Sequence, residues 1–74
     1  MLHPYLAKLA AEKTSAIELR LCKACLSLVN ALNEELELIH GEQYRDFLID
    51  ERDAKIRHAG YHLQQAKNAF DMGD

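Results

Sequence analysis

Apolar residues recur along this chain at helical spacing, in two long stretches separated by one glycine. Residues 4–40 and 43–71 contain a single helix-weakening residue in their interiors, Gly60. Gly41 stands between the two stretches, where the C-terminal cap of a helix is expected. The pattern therefore predicts an all-α fold, a single helical domain over 1–74. A helix of about residues 4–40 turns at about 41–42 and returns as a helix of about 43–71, giving an antiparallel hairpin.

The first predicted helix is apolar over an unusually wide arc. At about 100° per residue, one stripe comprises Leu6, Ala10, Ile17, Leu21, Ala24, Leu28, Leu32 and Ile39. A second apolar row lies beside it and comprises Ala7, Ala11, Cys22, Cys25, Val29 and Leu36. The two rows together span about 200°, against about 100° for an ordinary surface helix. A helix of this kind needs apolar neighbours in two directions.

The second predicted helix carries an apolar row with a seven-residue repeat, the spacing at which helices pack along their length. Since one hairpin covers only part of this surface, we expect it to dimerise into a four-helix bundle. The residues expected in the core and dimer contacts are Ile17, Leu21, Leu28, Leu32, Ile49, Ile56, Leu63 and Phe70.

Two local features leave details of the hairpin open. Ser15 and Glu18 match a capping box, so the first helix either runs unbroken or is interrupted near residues 14–15. The continuous apolar stripe favours an unbroken helix. If the chain turns near 41–42, Leu2, Leu6 and Leu9 extend past the end of the second helix and need another cover.

Composition narrows the class of protein. The chain has 74 residues, 28% of them charged, and a net charge of −3. It contains no apolar run of about 18 residues, the minimum for a membrane span, and its first residues lack the pattern of a signal peptide. We therefore expect a cytoplasmic protein, no membrane partner, and two cysteines in the thiol form.

Charge is distributed unevenly along the sequence. Residues 1–28 carry a net charge of +2, residues 29–53 carry −6, and residues 54–74 carry +1. In a hairpin the turn end is therefore acidic and the open end mildly basic. This polarity favours an antiparallel dimer, in which the turn of one hairpin lies beside the open end of the other.

Four residues form a candidate metal site. Cys22 and Cys25 are three residues apart, and His58 and His62 have the one-turn spacing used by helical metal sites. The hairpin brings the two pairs to about the same level, and two thiols with two imidazoles suit tetrahedral zinc. Against zinc, Cys22 is expected to point away from the contact between the helices. In the alternative interpretation, no metal or cofactor binds, the thiols pack as small apolar groups, and the imidazoles pair with Glu18, Glu51 or water.

The sequence contains no cofactor fingerprint or nucleophile motif, so we expect no enzymatic activity. The favoured interpretation is a small interaction or regulatory protein that binds another macromolecule, an unidentified protein partner first. A chain of this kind fits a phage, plasmid or bacterial accessory factor. One alternative is a nucleic-acid-binding regulator that uses the basic ends of a helical dimer, with the basic side chains Lys8, Lys13, Arg20 and Lys23. A metal-binding helical module is the third.

Overall fold

Two long helices form an antiparallel hairpin in the computed structural model, which describes residues 3–38 and 41–72. Helix α1 spans Pro4–Leu38 and α2 spans Glu42–Met72. The described chain is all-helical, and the two helices pack against each other along their length. The Cα atoms extend over 57 × 14 × 13 Å, the proportions of a rod two helices wide. None of the described helices combines the length and apolar character needed to cross a membrane.

Both helix starts have identifiable caps. The Tyr5 N–H donates to Nδ1 of His3 at 3.1 Å, and the Ala7 N–H donates to the His3 carbonyl at 3.0 Å. His3 is therefore the N-cap of α1, and Pro4 takes the first helical position, where its missing N–H costs nothing. The Gly41 carbonyl accepts from the Arg45 N–H at 3.0 Å, so Gly41 is the N-cap of α2.

Helix α1 continues through Ser15 without a break, as its unbroken apolar stripe favoured. The predicted end of this helix at residues 39–40, including Ile39, lies outside the described residues. At the other end of α1, Leu6 is half-exposed and Leu9 is intermediate. Leu2, the third residue predicted to need a cover there, also lies outside the described range.

The contact between the helices is built from small side chains toward the open end and from two leucines toward the turn. On α1 the buried residues recur every seven positions: Ser15, Cys22, Val29 and Leu36. On α2 the buried residues are Leu48, Ala59 and Ala66. Small side chains let two backbones approach closely, and a seven-residue repeat keeps one line of each helix facing the other. We call these seven residues the seam.

The seam differs from the core expected from sequence. The expected residues Ile17, Leu21, Leu28, Ile56, Leu63 and Phe70 are 42–55% exposed, and Leu32 and Ile49 are intermediate. None of these eight residues is buried in the hairpin, so they are not its own core. Their burial by a second copy remains a prediction. The row of α1 that faces α2 is instead the less hydrophobic one, which contains Cys22 and Val29.

Candidate interaction surface

One side of the hairpin has large apolar residues on both helices. Leu19 of α1 lines a groove with Leu63 and Phe70 of α2, above a floor that includes Ser15 and Ala66. Helical spacing extends this groove toward the turn, since residues seven apart share a face. We call it the Leu63 face, and it comprises Leu19, Leu26, Ile49, Ile56, Leu63 and Phe70. Five of these six side chains are 42–55% exposed, and Ile49 is intermediate.

The opposite side of the hairpin is apolar along α1 but polar along the middle of α2. Leu21 lies two residues after Leu19, and a two-residue step rotates about 200° around a helix. The Leu28 face, as we call this side, comprises Ile17, Leu21, Ala24 and Leu28, all exposed. On α2 the corresponding positions, each two residues after a member of the Leu63 face, are Glu51, His58 and Gln65. Nearer the turn, Tyr44 lies seven residues before Glu51, and its ring stacks on that of Phe47 with the centres 6.2 Å apart. Both aromatic side chains are exposed. Beside Leu21 and Leu28, the Leu28 face is bordered on α2 by polar groups.

The total exposed surface is large for a chain of this size. The chain exposes 5843 Å² and has a mass of 8.5 kDa. A compact monomer of that mass exposes about 4,650 Å², so the excess is about 1,200 Å². A protein–protein interface of standard size covers about 800 Å² on each partner. The hairpin thus has enough surplus surface for one such interface.

A polar pair lies toward the open end of the seam, between the levels of Ser15 and Cys22. Nδ1 of His62 lies 2.5 Å from Oε2 of Glu18, and the two side chains are 23% and 21% exposed. Glu18 is one of the partners expected from the sequence for the imidazoles, and this pairing is confirmed for His62. His62 also meets the ring of Tyr61 edge-on, with the ring centres 5.4 Å apart. His58, the other imidazole, is exposed.

A second polar contact between the helices lies nearer the turn. Nη1 of Arg52 donates to Oδ1 of Asn33 at 3.2 Å, and Nη2 of Arg52 lies 3.4 Å from Oδ1 of Asp53. The Arg52 and Asp53 side chains are 32% and 47% exposed, so this ion pair is substantially screened by water. Together with the Glu18–His62 pair, the Arg52–Asn33 contact fixes which levels of α1 and α2 face each other.

The predicted metal ligands are not assembled into a site. Cys22 is buried and Cys25 is intermediate, and both thiols are free. Among the described residues, no group of three or more His, Cys, Asp or Glu side chains is placed to hold a metal ion. His62 is engaged by Glu18, while His58 lies at the exposed border of the Leu28 face. The expectation that Cys22 points away from the helix contact is wrong, because this residue is part of the seam.

The basic residues of α1 lie on its exposed surface. Lys8, Lys13, Arg20 and Lys23 are all exposed. Lys13 and Arg20 are seven residues apart and share the side of α1 remote from the seam. Lys23 is three residues further on, toward one edge. These side chains can meet solvent or an anionic partner, but they do not form a continuous stripe with α2.

Sequence reasoning missed the residues at which the two helices meet. Ser15 was considered only as a helix cap, and Cys22, Val29 and Leu36 were assigned to the second apolar row of α1 and not to the expected core. A usable signal was present in the seven-residue repeats of small side chains, Ser15–Cys22 on one helix and Ala59–Ala66 on the other. These repeats mark the line of closest approach better than the strongest hydrophobic stripe does.

Comparison with protein-family models, with curated proteins and with solved structures finds no significant match to this chain.

Proposed function

We propose that this chain is a small cytoplasmic interaction or regulatory protein without enzymatic activity, which dimerises into a four-helix bundle and binds another macromolecule. The observation that carries the proposal is the presence of two exposed apolar faces on opposite sides of one hairpin. Exposed apolar patches larger than a few hundred Å² are typical of interaction sites. Two free thiols suit the reducing cytoplasm.

The opposite directions of the two faces explain why two kinds of contact are proposed. A second copy that packs on one face leaves the other face uncovered, because a hairpin is only two helices wide. The uncovered face is then available to a different molecule. A protein partner is favoured over nucleic acid because the exposed faces are apolar, while the net charge of the chain is −3.

Two measurements test this proposal. The first is the mass of the purified protein in solution, measured by light scattering at tens of micromolar together with circular dichroism. We expect a helical dimer of about twice the chain mass of 8.5 kDa. A folded helical monomer at that concentration would contradict the dimer.

The second measurement identifies the bound macromolecule. Immobilised wild-type protein and two variants, Leu28→Glu and Leu63→Glu, are used to capture partners from native cell extract with and without nuclease. A protein that binds wild type in purified form and loses affinity at least tenfold for one variant supports the proposal. Capture abolished by nuclease, with steep weakening by salt, would instead favour the nucleic-acid-binding regulator.

A further inference from the structure

The two apolar faces differ in a way that indicates how copies of this chain pair. On the Leu63 face the two helices present large apolar side chains at the same levels, Leu19 beside Leu63 and Leu26 beside Ile56. On the Leu28 face the α2 positions level with Leu21 and Leu28 are polar, and the exposed aromatic residues of α2 lie nearer the turn. A hairpin that packs on a second hairpin buries apolar residues from both of its helices at each level, and the Leu63 face meets this requirement better.

We propose that the Leu63 face is the self-association surface of this protein, occupied by a second copy in antiparallel orientation. This inference rests on the dimer of the proposed function and specifies its face and its direction. The surplus surface of about 1,200 Å² per chain exceeds the roughly 800 Å² per partner of a standard interface.

The positions of the apolar residues have the symmetry that such a dimer needs. A two-fold axis perpendicular to the helices requires the apolar rows of α1 and α2 to be centred at the same level. The α1 row, Leu19 and Leu26, is centred near Cys22. The α2 row from Ile49 to Phe70 is centred near Ala59 and Gly60.

The Glu18–His62 contact shows that these two centres are level. Cys22 lies four residues after Glu18, and His58 lies four residues before His62, so Cys22 is level with His58 and Ala59. An axis at this level places the Ile56 level of one copy against the Leu63 level of the other. In the same way Leu19 of one copy lies level with Leu26 of the other. Large side chains of the two copies therefore face each other in both rows.

Charge at the border of the face also favours the antiparallel orientation. Asp53 and Lys67 each lie seven residues from Gly60, on opposite sides of the centre, and Lys67 lines the groove. In the antiparallel dimer Asp53 of each copy is level with Lys67 of the other. The acidic segment 29–53 of one copy, with a net charge of −6, then lies away from the same segment of the other copy. A parallel dimer would bring these two segments together.

Face variants test the choice of surface by sedimentation equilibrium. Leu63→Glu is expected to weaken the dimer at least tenfold, because it buries a carboxylate in the apolar contact. The matched control, Leu21→Glu on the Leu28 face, is expected to change the dissociation constant less than threefold. A dimer lost in Leu21→Glu and kept in Leu63→Glu would overturn the choice of face, while leaving a dimer in place. A monomeric wild-type protein would overturn the dimer itself.

Charge reversal tests the orientation with polar substitutions at the border of the face, and it serves also if Leu63→Glu fails to fold. Lys67→Asp is expected to weaken the dimer about threefold to tenfold at low salt. The new carboxylate of each copy lies level with Asp53 of the other copy, so two repulsive pairs form in each dimer. The double variant Asp53→Lys/Lys67→Asp should restore it. Arg57→Asp makes the same change of net charge at an exposed position away from the face and is the control. Equal weakening by Lys67→Asp and Arg57→Asp, or no recovery in the double variant, would overturn the antiparallel orientation.

Discussion

Nδ1 of His62 lies 2.5 Å from Oε2 of Glu18, and this contact joins the two helices between the seam levels of Ser15 and Cys22. Both side chains are more than three-quarters shielded from solvent, at 23% and 21% exposure. The neighbouring seam residues Cys22 and Ala59 are small and apolar and accept almost any sliding of one helix along the other. A paired polar contact does not, because a slid helix would leave both groups shielded and unpartnered. The Glu18–His62 pair is therefore well placed to fix the register of the hairpin.

Glu18→Ala is expected to destabilise the protein by about 1–3 kcal/mol, because it leaves the largely shielded imidazole of His62 without its partner. Glu12→Ala, at an exposed position on the same helix, should change stability by less than about 0.5 kcal/mol. Urea unfolding followed by circular dichroism measures both. A double-mutant cycle with His62→Ala isolates the pair. A coupling energy indistinguishable from zero would mean that the contact does not contribute to stability.

The small side chains of the seam predict a penalty for added volume. Ala59→Leu is expected to cost about 1–3 kcal/mol, because three extra carbon atoms must fit where the helices approach most closely. Leu36→Ala, at the larger end of the same seam, should cost about 2–5 kcal/mol through the cavity that it leaves. If Ala59→Leu proved neutral or stabilising in thermal unfolding, the helices would be further apart than the buried positions indicate.

Helical periodicity was enough to predict two helices that pack as a hairpin and the continuity of α1 through Ser15. It did not predict which row of α1 meets α2. Leu21 and Leu28 are more hydrophobic than Ser15 and Cys22, and for that reason the leucines are the core residues expected from sequence. Close approach of two helices instead selects small residues, and the large ones are placed on the outer faces. The position of a row around α1, more than its hydrophobicity, therefore determines whether that row contacts α2.

Gly60→Ala is expected to stabilise the protein by about 0.5–1 kcal/mol. A glycine in a helix interior costs about this much relative to alanine, chiefly through the entropy of the unfolded chain. A Cβ added at Gly60 would meet no atom within 4 Å, so no steric clash is expected within the hairpin. Thermal unfolding at several protein concentrations measures the gain. Destabilisation that appears only at concentrations where the dimer forms would show that Gly60 is needed for close contact with a second copy.

We expect no structural zinc ion, because of where the four candidate ligands lie. Cys22 is buried in the seam, His62 is paired with Glu18, and His58 is exposed, so the side chains do not converge. A structural zinc ion would contribute folding free energy directly, and a chelator would then lower the melting temperature. We expect chelation to leave melting unchanged and elemental analysis of untagged protein to find no stoichiometric metal. About one equivalent of zinc per chain, lost in Cys25→Ser, would contradict this and favour the metal-binding module. Half an equivalent would indicate a site shared between two copies, since the four residues lie at the level of the proposed two-fold axis.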